Sequence, residues 1–262
     1  MEAKQRKNYL DNIRWITILI VVVYHVFYYY NNLGTTPMFE GLHETTGVTF
    51  SAVFQYAVYQ WFMVLLFIVS GIRARYTLEK KTVKQFIKSK VLNLPIAVYR
   101  MCYYPMAFLL GYFVFSHEKI LNDLKKFWYV FMTMGIIFGV IYTVKLYGTF
   151  YGDAHVMKAP VSVVHAYFTT LGILGFAQNF LNFSNAFTDK MNKYGWAVYM
   201  SHIMILLIFN TAIKPFAGVW PMQLIYLLEL VVSLAGSVIM WEIFSRIPVI
   251  RLLMYGVRGK KR

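Results

Sequence analysis

The sequence predicts an all-α fold, a polytopic bundle of about seven membrane-spanning helices. Three observations predict it. Of 262 residues, 59% are hydrophobic and only 14% are charged. Apolar runs of about 20 residues recur along the chain, the length a helix needs to cross a hydrocarbon core of about 30 Å. The two-residue alternation of membrane barrel strands is absent, so the spans must satisfy their backbone hydrogen bonds as helices.

The first span is expected at 13–30. A charged N-terminal stretch precedes it, and it carries Arg14 and His25 with no small-residue cleavage site. It therefore reads as a retained helix and not as a signal peptide. The second span is 50–71, ending at Gly71. The third, 94–115, contains Pro95 and Pro105, which kink or break helices. The remaining spans are 127–147, 159–180, 194–213 and 221–244. With no internal repeat or low-complexity stretch, 1–262 reads as a single transmembrane domain.

The net charge is +15. The basic residues cluster in short segments beside apolar spans, so the positive-inside rule and contact with anionic lipid account for them. Nucleic acid is not an expected partner. Lys4, Arg6 and Lys7 place the N-terminus in the cytoplasm. The loop 36–49 has Glu40 and Glu44 and no Lys or Arg, so it lies outside. Residues 73–90 carry two Arg and five Lys and lie inside, as does the tail with Arg258, Lys260, Lys261 and Arg262. Two cytoplasmic ends demand an even number of crossings, against the seven counted. Lys119, Lys125 and Lys126 locate the conflict at 94–115. That span is re-entrant or kinked, or a span is missing beside it, or one basic loop breaks the rule.

The first span holds the sharpest chemical signal. Arg14 and His25 are eleven residues apart, about three helical turns and roughly 16 Å along one face. A guanidinium at the interface grips phosphate with two parallel hydrogen bonds. An imidazole deep in the membrane is costly to keep and can serve as a general base on a hydroxyl. The plainer reading is that Arg14 snorkels and His25 packs through one interhelical hydrogen bond. His165, His202 and Glu229 are the other intramembrane polar residues. Tyr199 and His202, at i and i+3, share a face, and a His–carboxylate pair with Glu229 is possible if their helices pack. Separate packing roles are the alternative, above all for His165. Three His and one Glu on different helices do not make a zinc site, and no metal site is expected. Cys102 stands alone, so no disulfide forms within the chain. The stretch 80–95 reads as an interfacial helix, either an anchor to anionic lipid or a dock for an anionic nucleotide donor.

These features in this order resemble the acyltransferase 3 family of membrane acyltransferases. Tyr9-Leu10-Asp11-Asn12-Ile13-Arg14 with His25 is similar to its Arg-x10-His signature, and Phe67-Ile68-Val69-Ser70-Gly71 to its Phe-x-x-Ser-Gly. The basic run from Phe86 to Pro95 resembles its Pro-ended basic segment. Leu109-Leu110-Gly111-Tyr112 and Gly195-Trp196-Ala197-Val198-Tyr199-Met200-Ser201-His202 complete the series. The beginning is most like the polysaccharide-modifying branch. The resemblance implies transfer of an acetyl or succinyl group from cytoplasmic acyl-CoA to a hydroxyl of an envelope carbohydrate. It also implies a multi-pass protein of the cytoplasmic membrane. Acyl-CoA would be the donor substrate, with no bound cofactor. His25 would be the catalytic histidine, and Arg14 its partner or a donor-binding group. The substrate-binding set expected with it is Asp11, Ser70, Arg73, Lys88, Lys90, Tyr199, His202 and Glu229. There are departures. The family usually has Arg at the positions of Lys90 and Asn93. Its members are longer, with about ten spans, and the part between the Pro-ended segment and the Leu-Gly-Tyr helix is absent here. An odd number of lost helices would produce the parity conflict. A non-catalytic relative, acting as carrier or partner for an envelope glycan precursor, is the alternative function.

Overall fold

The structure, a computed structural model, describes residues 7–30, 49–78, 103–216 and 219–257, and among them there are helices and no strands. In chain order the helices are α1 (Asn8–Tyr28), α2 (Phe50–Tyr59), α3 (Phe62–Leu78), α4 (Tyr103–Phe113), α5 (Glu118–Leu146), α6 (Ala154–Lys158), α7 (Pro160–Phe180), α8 (Ala186–Ile213), α9 (Met222–Phe244) and α10 (Pro248–Tyr255). Six segments of the described residues are long and apolar enough to cross a membrane. They are α1, α2 with α3, α5, α7, α8 with the 3₁₀ turn Lys214–Phe216, and α9. The protein is a multi-pass, all-α membrane protein.

All six begin or end within a few residues of an expected boundary. The third of the seven expected spans falls partly on residues that are not described. Residues 94–102 lie outside the described residues, and the remainder is α4, eleven residues long. Among the described residues the long apolar segments number six.

Local chemistry sets the helix boundaries. Asn185 and Thr188 cap α8 reciprocally: the Thr188 N–H donates to Asn185 Oδ1 and the Asn185 N–H to Thr188 Oγ1, each at 2.9 Å. This satisfies donors that the first turn of a helix leaves orphaned. Pro160 opens α7, where its missing N–H costs nothing. α5 bends at Phe127 (φ −105°, ψ 17°). Lys119, Lys125 and Lys126 precede that bend, and the apolar stretch follows it.

The chain divides into two compact units. The first is Met1–Thr17, Gln60–Tyr142 and Lys158–Asn192; the second is Ile18–Tyr59, Thr143–Met157 and Lys193–Arg262. In the first unit, small residues let helices touch. A Cβ on Gly71 of α3 would stand 2.1 Å from the Phe108 carbonyl oxygen of α4, and one on Gly111 would stand 2.2 Å from that of Ile68. Only glycine permits that approach. The rings of Phe67 and Tyr104 stack beside the crossing, with centroids 4.8 Å apart. α5 and α7 cross similarly. His165 is buried there, its Nδ1 2.9 Å from the Gly135 carbonyl oxygen and its ring stacked on Tyr142. On α5, Ile136, Ile137, Val140 and Val144 are exposed at helical spacing, a stripe suited to lipid.

In the second unit the core is a seam between α1, α8 and α9. Ile18 and Val22 pack with Val198, Leu230 and Leu234. Val26, Tyr29 and Tyr30 pack with Leu206, Ile213 and Ile225. Along α8 the contacts at Val198 and Leu206 are eight residues apart, and position 202 falls midway on the same face. On α1, position 25 falls on the face that runs from Ile18 through Val22 to Tyr29. The apolar pattern therefore brings His25 and His202 to one seam. α10 is tied to this unit by Trp196, whose Nε1–H donates to the Tyr255 carbonyl at 2.8 Å, and by the edge of Trp241 against the Tyr255 ring.

Candidate active site

His25 and His202 meet directly: His25 Nδ1 and His202 Nε2 are 3.2 Å apart. Each ring also approaches a carbonyl one turn back on its own helix. His25 Nδ1 lies 2.8 Å from the Val21 oxygen, and His202 Nδ1 lies 2.9 Å from the Val198 oxygen. His202 is buried and His25 half-buried. The Tyr24 ring stands edge-on to His25 at 5.0 Å and Tyr28 at 6.4 Å. Tyr199 lies against His202, with ring centroids 6.3 Å apart, and stacks on Trp196.

Of the two arrangements open to Glu229, no His–Glu229 pair occurs among the described residues. Glu229 is fully buried and its Oε1 accepts the Tyr30 hydroxyl at 2.6 Å. Tyr30 also reaches Asn210. Glu229 Oε2 and the hydroxyls of Ser233 and Ser237, one and two turns further along α9, are buried with no hydrogen-bond partner among the described residues. The reason for the different pairing is register. The histidines occupy the seam near Val198 and Leu206, whereas Glu229 faces the Tyr30 end of α1.

Beside the histidines is a group of tyrosines that sequence reasoning did not single out. The Tyr24 hydroxyl donates to Tyr151 at 3.1 Å, Tyr24 stacks on Tyr28 and Tyr59, and Tyr59 and Tyr151 have centroids 4.6 Å apart. Burial pushes the Tyr151 phenol well above its ordinary value. The run Tyr28-Tyr29-Tyr30 was the available signal. Tyr151, far away in sequence, gave none.

The first unit holds the other predicted residues. Asp11, buried in the first turn of α1, forms an ion pair with Arg73 of α3. Two members of the expected substrate-binding set are thus brought together. Nearby in sequence, Lys7 Nζ donates to the Tyr76 hydroxyl at 2.8 Å and to Glu118 at 2.5 Å. Asn12 Nδ2 donates to the carbonyls of Leu181 and Phe183, and Asn12 Oδ1 accepts the Trp15 indole N–H. The amide in the Asp-Asn-Ile-Arg motif thereby fixes α1 to the end of α7. Arg14 is half-buried on α1 and Ser70 is exposed on α3, one residue before the Gly71 crossing. Lys88 and Lys90 lie outside the described residues. No group of three or more His, Cys, Asp or Glu placed to hold a metal occurs among the described residues.

Residues 7–131 match the family model described as an acyltransferase domain, in agreement with the resemblance carried by the sequence motifs. The match includes Asp11, Arg14, His25, Ser70, Arg73, Lys88 and Lys90 and ends within α5. Tyr199, His202 and Glu229 lie beyond it. No curated protein and no solved structure matches the chain.

Proposed function

We propose, with the acyltransferase 3 family match of residues 7–131 as premise, that this membrane acyltransferase moves an acetyl- or succinyl-type group. The donor is acyl-CoA and the acceptor a hydroxyl of an envelope carbohydrate. The reaction takes place at the cytoplasmic membrane, with the N-terminus inside. His25 is the general base. The observation that carries this reading is His25 itself, an imidazole on a membrane helix, inside the matched segment, with its Nδ1 already engaged. An intramembrane ionisable group is expensive to keep unless it works.

The step balances without any further reagent. His25 takes the acceptor hydroxyl proton as the oxygen attacks the thioester carbonyl. The tetrahedral adduct collapses, the C–S bond breaks, and the thiolate leaves. The proton then passes from His25 to that sulfur, giving an ester and free CoA thiol. Arg14 is assigned to the donor, where its guanidinium suits a phosphate. Asp11 and Arg73 hold the first turn of α1 and the end of α3 together, which supports the position of Arg14. Lys88 and Lys90 complete the donor-side charge, and Ser70, Tyr199 and Glu229 belong to the wider substrate-binding set. The lipid bilayer is the protein's solvent.

The test is transfer from radiolabelled acetyl-CoA or succinyl-CoA to membrane glycan by purified protein in vesicles. His25→Ala is expected to lower transfer by about 10²–10⁴-fold while the protein still inserts. Wild-type transfer in that variant sinks the assignment and favours the non-catalytic carrier.

A further inference from the structure

The hydrogen-bond directions at the histidine pair can be worked out from donors and acceptors alone. A carbonyl oxygen only accepts. His202 Nδ1, 2.9 Å from the Val198 oxygen, therefore carries the ring proton. In a neutral imidazole the other nitrogen is then bare, so His202 Nε2 is an acceptor. It faces His25 Nδ1 at 3.2 Å, which also lies 2.8 Å from the Val21 oxygen. Both neighbours of His25 Nδ1 are acceptors, so that nitrogen also carries its proton and shares it between them. Within the pair, the bare nitrogen left without a donor is His25 Nε2.

We propose that His202 is the positioning residue of the His25 base: its bare Nε2 accepts the His25 Nδ1–H, which leaves His25 Nε2 as the nitrogen that takes the acceptor's proton. The inference rests on the acyl-transfer reading of His25 and adds which atom reacts and what holds it there. His202 lies outside the segment that matches the acyltransferase family, so the role is read from this geometry. When His25 becomes an imidazolium, its Nδ1–H bond to His202 becomes charge-assisted and strengthens. That gain appears only on the way to the transition state, which is where an interaction accelerates a reaction. The seam contacts of Val198 and Leu206 on α8 and of Val22 and Val26 on α1 hold both rings in place.

The experiment combines ¹⁵N-histidine spectroscopy with kinetics on the full-length protein in bilayers. In wild type, Nδ1 of both rings should be protonated, with a through-hydrogen-bond coupling between His25 Nδ1 and His202 Nε2. His202→Leu should abolish the coupling and lower kcat by about 10²-fold, the scale of loss when a reacting group is misplaced by about 1 Å. KM for acyl-CoA should be unchanged. His202→Gln, which presents an amide oxygen as acceptor, should recover most of the loss and shows whether the leucine variant failed only by misfolding. A proton on His202 Nε2 in wild type overturns the proposal, because His25 Nδ1 would then be the bare nitrogen. Wild-type kcat in both variants overturns it as well. Should wild type show the coupling and yet no transfer from either acyl-CoA, the acyl-transfer reading fails and the assigned base with it, while the hydrogen-bond directions stand.

Discussion

Gly71 and Gly111 sit opposite each other where α3 crosses α4, each against the backbone of the other helix. In the sequence they belong to two separate motifs, Phe67–Gly71 and Leu109–Tyr112. In the structure they are the two sides of one contact. Replacing either with valine adds a Cβ to a space that backbone oxygen already occupies. The expected cost is about 1–3 kcal/mol or more, the range for overpacking, seen as a lower unfolding midpoint in detergent. The double variant should cost less than the sum of the two, because the helices are already parted. An unshifted midpoint in Gly71→Val would rule out so close a crossing.

Arg73→Ala removes the Arg73 guanidinium from the buried Asp11 carboxylate. Loss of one partner from a fully buried pair costs about 3–5 kcal/mol. The Arg73 side chain is 37% exposed, so solvent screening reduces the expected cost to about 1–2 kcal/mol. Asp11→Asn/Arg73→Gln should be less destabilised than Arg73→Ala alone. A double-mutant cycle in detergent measures the coupling, and purely additive effects would show that the pair contributes nothing.

Tyr30→Phe removes the hydroxyl that the buried Glu229 carboxyl accepts. The penalty for an unsatisfied buried polar group is about 1–3 kcal/mol. Glu229→Leu in the Tyr30→Phe background should restore much of it, since both partners are then apolar. Equal destabilisation of the single and double variants would refute the pairing.

For Arg14, a bidentate phosphate contact is the expected role, and hydrogen bonds to charged groups contribute about 1.5–3 kcal/mol. Arg14→Ala should therefore raise KM for acyl-CoA by about 10–100-fold with kcat little changed. Arg14→Lys should recover only part, because an ammonium keeps the charge and loses the fork. A fall in kcat at constant KM would move Arg14 from the donor to the chemical step.

Sequence patterning by itself determined that this is an all-α membrane protein and roughly where its long helices lie, because span length and apolar composition are local properties. It also drew attention to Arg14 and His25, since an ionisable residue in an apolar run is conspicuous without any fold. It could not settle the third span, where proline and charge gave conflicting signals. Partners were decided by the tertiary structure alone. A periodic pattern says which face of a helix is apolar, and it does not say which helix covers that face or at what height. Glu229 therefore stood as an equal candidate for pairing with a histidine until the packing of α1, α8 and α9 put it beside Tyr30 and put His202 beside His25. The direction of that last hydrogen bond depends on two carbonyls at fixed distances, and only three-dimensional placement supplies them.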